Sequence, residues 1–251
     1  MTTTLMPGAE PFAADGGRIG VLLSHGFTGS PASMTPWAKD LADRGHTVRV
    51  PRLPGHGTTW QDMNRSRWTD WYGELDGALT ELRSTCDHVV VAGLSMGGCL
   101  ALRLAEQRPS EVDGVVLVNP AVHVERFDIK LVPLLQWIIP AMPGIGNDIK
   151  KPGQDEVGYD KTPLKALASQ LTMWKDVREG LPTVTQPLLF FRSDDDHVVD
   201  DSSTSIILDG ISSPVKELVP LTDSYHVATL DNDAPLIFER TASFISEHVG
   251  Q

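Results

Sequence analysis

The sequence predicts an α/β fold, an open and mostly parallel sheet with helices on both faces. Three observations predict it. Six short runs, at 19–24, 47–51, 88–93, 114–119, 188–193 and 215–220, are rich in Val, Ile or Leu, as strands covered on both faces require. Helical patterns fill the intervals, and strands alternating with crossover helices pair in parallel. A chain of 251 residues buries about 70–75% of its unfolded surface, enough for one core. Residues 1–251 are therefore expected to form a single domain without metal or disulfide staples.

The helices follow in order. Ser30-Pro31 starts the first, and Gly45 supplies its left-handed stop. Trp68, Trp71, Tyr72, Leu75, Ala78, Leu79 and Leu82 fall on one face of the second. A third runs from Gly98 through Ala105, and residues 234–248 form the last. The stretch from about 120 to 163 breaks this rhythm, being too long for an ordinary strand-to-helix connection. It holds an apolar block at 131–139 followed by Pro140, Pro143, Gly144 and Gly146. An insertion of this kind between two strands reads as a cap over the carboxyl edge of the sheet, the alternative being a helix that merely extends the core. As a cap it is expected to offer an apolar wall to a substrate tail, each buried methylene being worth about 0.8 kcal/mol.

The net charge of −12 and the lack of any Lys/Arg cluster disfavour nucleic acid and anionic membrane surfaces as partners. The opening residues 1–8 show no basic residue ahead of an apolar core, and no window approaches the ~20 apolar residues of a membrane span. A soluble cytoplasmic protein is expected, with no stable membrane insertion. The only two cysteines, Cys86 and Cys99, fit a reduced compartment. No metal-ligand spacing, phosphate-cradling loop or dinucleotide fingerprint is present, so neither cofactor nor metal is expected. Gly144-Ile145-Gly146 lacks both a preceding strand and a third glycine.

The chemistry begins at Gly93-Leu94-Ser95-Met96-Gly97, which directly follows the run at 88–93 and opens a helix. This is a G-x-S-x-G turn in its strand-turn-helix setting, with glycines where a Cβ would collide with the neighbouring strand or helix. A serine hydroxyl needs a base, and the base needs an orienting carboxylate, in the chain order Ser, Asp or Glu, His. The acid is expected just past the run at 188–193, in Asp194-Asp195-Asp196-His197-Val198-Val199. Asp196 is favoured because the valine pair after it would anchor the loop, with Asp195 as the runner-up. Of eight histidines, His226 alone lies between that loop and the final helix. His46, His88 and His123 read as surface or turn residues, and His248 as a favourable charge at a helix C-terminus. The oxyanion donors are expected to be the backbone N–H of Met96 and that of Phe27, in Ser24-His25-Gly26-Phe27-Thr28-Gly29. His25 and the loop Leu53-Pro54-Gly55-His56-Gly57 read as braces for the site.

With those residues placed, the chain resembles an α/β-hydrolase, and within that superfamily it is similar to the bacterial monoacylglycerol lipases and related small carboxylesterases. The segments that carry the likeness begin with His25-Gly26-Phe27-Thr28-Gly29-Ser30-Pro31, Pro51-Arg52-Leu53-Pro54-Gly55-His56-Gly57 and Gly93-Leu94-Ser95-Met96-Gly97-Gly98. Asp196-His197-Val198-Val199 and Ser224-Tyr225-His226-Val227-Ala228-Thr229-Leu230-Asp231 complete them, and together they span nearly the whole chain. The resemblance implies Asp196 as the acid, with Ser95 and His226 as nucleophile and base and Phe27 and Met96 around the oxyanion. It also implies a small mobile cap with a polar niche for glycerol, where Ile145 and Glu156 would close over the glyceryl side, and an apolar channel for the acyl chain. The expected activity is hydrolysis of monoacylglycerols to glycerol and fatty acid. The alternatives are a general carboxylesterase on short acyl esters, a hydrolase-fold binding module without chemistry, and an acyltransferase or perhydrolase using the same triad. The expected partner is a small lipid ester; transient contact with lipid aggregates and pairing with a second subunit both suit the apolar insertion.

Overall fold

A computed structural model describes residues 4–250, so residues 1–3 of the stretch read above for a leader lie outside the described residues, as does residue 251. Seven strands form one sheet: β1 (Phe12–Ala14), β2 (Ile19–Ser24), β3 (Thr47–Val50), β4 (His88–Leu94), β5 (Gly114–Val118), β8 (Leu188–Ser193) and β9 (Lys216–Leu221). A separate antiparallel pair, β6 (Ala141–Pro143) and β7 (Lys161–Pro163), lies within the insertion. The order across the main sheet is β1-β3-β2-β4-β5-β8-β9. All its neighbours run parallel except β1, which pairs antiparallel with β3 through Phe12↔Val50.

Alternation along the strands divides the core in two. Val89 and Val91 of β4 point to one face with Leu22, Leu117 and Phe190, while Val90, Ala92 and Leu94 point to the other with Leu23, Val118 and Phe191. Both sets are buried, which explains why the strands read as continuous apolar runs. The first face is covered by α3 (Trp68–Thr85), α4 (Met96–Gln107), α6 (Leu164–Gly180) and α7 (Ser202–Gly210). The second is covered by α1 (Thr35–Asp43) and α8 (Ala234–His248). Two single-turn helices, α2 (Trp60–Met63) and α5 (Val132–Leu135), complete the set of α-helices among the described residues. Ser30 caps a 3-10 turn, accepting the Ala32 N–H at 3.3 Å, before α1 starts at Thr35, and Gly45 follows α1 at φ +92°.

Chain order reverses between β2 and β4: from β2 the chain steps outward to β3, then returns to place β4 on the other side of β2. Loops leaving the carboxyl ends of two such strands diverge and leave a crevice, where open α/β sheets bind ligands. Here those loops are 25–29 and the turn at Ser95.

Candidate active site

Ser95 sits between β4 and α4 with φ 56° and ψ −117°, a backbone conformation that an L-residue keeps only when its surroundings impose it. The surroundings are the end of β5: the Ser95 N–H donates to Val118 O at 3.0 Å, and Ser95 O accepts the Ala121 N–H at 3.1 Å. Space is equally restrictive. A Cβ on Gly93 would lie 2.1 Å from the Gly97 carbonyl carbon, and one on Gly97 would lie 2.1 Å from Ser24 O. The motif glycines are thus required by the close approach of β4, α4 and β2.

Asp196 follows β8 in an otherwise exposed acidic loop, yet its side chain is fully buried. Its Oδ1 accepts the N–H groups of Val198 and Val199, each at 2.9 Å. Its Oδ2 accepts from Arg192 Nη1 at 2.8 Å and lies 2.9 Å from His226 Nδ1. Burial alone would raise this carboxyl, but the His226 ring, the Val199 N–H and Arg192 outweigh it and hold Asp196 below the usual carboxylate range. An ionised carboxylate is acceptor-only, so His226 donates from Nδ1 and its Nε2 is left for the pocket.

Buried Asn119, just past β5, ties the strand ends to this loop. It takes φ 44°, which Asn tolerates better than most residues. Its Nδ2 donates to Ser193 Oγ (2.9 Å) and to His226 O (2.8 Å), while its Oδ1 accepts the Ser193 N–H (2.8 Å).

The loop after β2 is braced by buried His25, whose pKa burial pushes down to about 4. The neutral ring donates from Nδ1 to Gly26 O at 3.0 Å and accepts the Leu53 N–H on Nε2 at 3.2 Å. His56 packs edge-on at 4.9 Å, held neutral by burial and by His25, and in turn meets Trp71. Gly26 lets the loop approach the nucleophile, since a Cβ there would stand 3.4 Å from Ser95 Cβ.

One pocket collects these parts. Gly26, Phe27, Ser95 and His226 line it from the sheet, and Ile129, Met142, Ile145 and Glu156 line it from the insertion. Of the residues named from sequence, Asp196 lies behind His226. Met96 is fully buried at the first turn of α4, where N–H groups have no intrahelical acceptor. Glu156 Oε1 accepts the Asn147 N–H (2.8 Å) and Asn147 Oδ1 accepts the Glu156 N–H (2.9 Å). Burial raises the Glu156 carboxyl, with Asp155 and Asp148 adding to the effect. Among the described residues, the non-glycine residues at positive φ are Thr28, Ser95, Asn119, Asn147 and Val157, and every one stands on a segment that builds or flanks this pocket.

The insertion supplies much of the apolar wall, though not from its most apolar block. In the block 131–139, Leu134, Trp137 and Ile138 are 72%, 76% and 81% exposed, and none of its residues lines the pocket. Only Val132 is fully buried there, packed with Leu164 and Leu167 of α6. A single turn of helix has one inward face, so the rest of so apolar a run is left outside. The wall comes from its flanks and from α6, namely Val124, Ile129, Met142, Ile145 and Leu167. Arg192, Asn119 and Asp148 of the site were not singled out from sequence; each acts by contacts between distant segments, for which no local motif exists.

Comparison with known proteins agrees with this architecture. The model of the family described as serine aminopeptidase, S33 matches residues 18–233. A thermostable monoacylglycerol lipase of Bacillus sp. (strain H-257) is 42% identical over 249 residues, covering 98% of each chain. A carboxylesterase of Bacillus subtilis (strain 168) is 26% identical over 95% of this chain and 96% of its own. A solved structure from work on LipS and LipT, two metagenome-derived lipolytic enzymes, superposes with TM-score 0.95 at 43% identity, covering 98% of this chain and 100% of that one. The monoacylglycerol lipase of Paleococcus ferrophilus shares the fold at TM-score 0.82 and 18% identity, over 95% of this chain and 98% of its own. With the family model matching residues 18–233 and a 42% identical relative covering nearly the whole chain, the chain belongs to the serine aminopeptidase S33 family of the α/β-hydrolase superfamily.

Proposed function

We propose that this chain is a carboxylic ester hydrolase that cleaves monoacylglycerols to glycerol and free fatty acid through an acyl-enzyme on Ser95. The observation that carries the reading is the mixed lining of the pocket: apolar Ile129, Met142 and Leu167 and a carboxylate, Glu156, share one cavity with Ser95 and His226. An acyl chain suits the apolar residues and glycerol hydroxyls the carboxylate. The 42% identical lipase supports the same substrate.

In this reading Ser95 Oγ attacks the ester carbonyl and passes its proton to His226 Nε2, while Asp196 holds the imidazolium that forms. The backbone N–H groups of Phe27 and Met96 receive the charge on the carbonyl oxygen, and the α4 N-terminus adds its dipole. Collapse expels glycerol, protonated by His226, and water then repeats the sequence on the acyl-enzyme. The chain acts as one domain in which residues 120–163 are the cap, with Ile145 and Glu156 enclosing the glyceryl end. A cytoplasmic setting suits the two free buried cysteines, and no described helix is long and apolar enough to cross a membrane. The exposed side chains of Leu134, Trp137 and Ile138 suit brief contact with lipid aggregates.

A second reading, a carboxylesterase for short acyl esters, draws on the Bacillus subtilis relative. Turnover on monoacylglycerols of graded length, triacylglycerol and p-nitrophenyl esters decides between them. Monoacylglycerols of medium or long chain should lead; a rate peaking at acetate or butyrate would favour the second reading, and equal rates on mono- and trioleoylglycerol would overturn the first. Ser95→Ala should lower kcat by about 10⁶, and more than a hundredth of activity remaining would dismiss Ser95 as the nucleophile.

A further inference from the structure

The loop that carries His226 is held from two directions. From the body of the fold, Tyr225 N–H donates to Asp231 Oδ2 (2.9 Å), Ser193 Oγ donates to Tyr225 O (2.9 Å), and Asn119 Nδ2 donates to His226 O (2.8 Å). The next two N–H groups both run to one residue of the insertion. His226 N–H donates to Asp148 Oδ2 (3.1 Å) and Val227 N–H donates to Asp148 O (3.0 Å).

The same carboxylate reaches the acid loop. Asp148 Oδ1 lies 2.9 Å from His197 Nδ1, and Oδ2 accepts the His197 N–H at 3.3 Å, one residue beyond Asp196. The grip is returned from the other side, where Asp231 accepts the N–H groups of Lys150 (2.7 Å) and Lys151 (2.8 Å). Two carboxylates thus lock residues 148–151 of the insertion against the two loops that bring His226 and Asp196 together.

We propose that Asp148 is a positioning residue for the His226 imidazole, and that the insertion completes the His226–Asp196 arrangement by docking this carboxylate between their loops. The proposal rests on His226 being the base. Without the Asp148 carboxylate the N–H groups of His226 and His197 lose their acceptor, and on that side the loop keeps only the Val227 N–H bond to Asp148 O, so the ring gains room to shift. A displacement near 1 Å at a reacting group costs up to about a hundredfold in rate. Asp148 also lines the pocket, but the apolar residues Ile129, Met142 and Leu167 that would take an acyl chain do not depend on it, so the loss falls mainly on kcat.

The test compares wild type, Asp148→Ala and Asp148→Asn by kcat and KM on p-nitrophenyl butyrate, by the rate of inactivation with a fluorophosphonate, and by thermal unfolding. Asp148→Ala should lower kcat and the inactivation rate together by about tenfold to a hundredfold, with KM within about threefold. Asp148→Asn, isosteric and still offering an oxygen to the His226 N–H, should recover most of the loss. Wild-type kcat in Asp148→Ala, a loss confined to KM, or a loss that Asn does not recover would each overturn the proposal. Should the Ala variant fail to fold, the Asn variant decides: kcat near wild type supports the proposal, and a loss as large as that of His226→Ala defeats it. Ser95→Ala and His226→Ala run alongside. If they stay active the base assignment fails, whereas if they are inactive and Asp148→Ala is not, only the positioning role fails.

Discussion

Asp195 and Asp196 are chemically identical neighbours with opposite surroundings. Asp195 is exposed, whereas the Asp196 carboxylate is buried under two backbone N–H groups, a guanidinium and the His226 ring. In Asp196→Asn the amide would donate toward the ring and favour the tautomer with its proton on Nε2, so kcat should fall by about 10⁴. Asp195→Asn should stay within about twofold, and comparable losses in the two variants would mean the acid is misassigned. The sequence supports this choice through the valine pair that follows and through the family resemblance. What it hides is Arg192, four residues earlier, which reads as an ordinary strand residue until the turn folds back and brings its guanidinium to Asp196 Oδ2.

At the scale of elements, legibility tracks burial. Strands covered on both faces announce themselves as apolar runs, and β2 and β8 begin and end where the sequence places them. The partly covered or isolated pieces do not: β1, β6 and β7 are three residues each, too short for any period to emerge. The turn at Ser95 is legible for a different reason, since its glycines mark contacts tighter than any side chain permits. Gly97→Ala should therefore destabilise the protein by at least about 2 kcal/mol, seen as a fall of about 4–8 °C in Tm. An unchanged Tm would mean that α4 can move off β2 without strain. The insertion is the least legible part, because composition does not say which of its apolar residues face inward, and the fold turns most of the block 131–139 outward.

Across the whole molecule, two buried groups act on stability in opposite directions of pH. His25 titrates near 4 in the fold, below its ordinary 6.5, so its contribution is present above 6.5 and is lost as pH falls toward 4. Glu106 of α4 behaves inversely. Its side chain is 1% exposed, its Oε1 has no hydrogen-bond partner among the described residues, and burial lifts it to about 7 despite the Arg103 bond at 2.8 Å. The native state then binds the proton more readily than the unfolded chain, and stability drops as pH rises from about 4.5 through 7. The full effect is on the order of 3 kcal/mol. Glu106→Gln should remove this alkaline decline and unfold at a higher temperature than wild type at pH 8. Parallel Tm profiles for the two proteins between pH 5 and 8 would contradict it.

The left-handed backbone residues gathered around the pocket have a practical corollary for anyone reshaping this enzyme. Conformational tension is concentrated at one pole of the sheet and underwritten by the relaxed, close-packed remainder. Substitutions that ease Thr28, Asn147 or Val157 into roomier dihedral wells would harden the protein and slacken the scaffold that aims its reacting groups. Heat tolerance is better sought at the opposite pole, where the strands begin and no described non-glycine residue stands at positive φ.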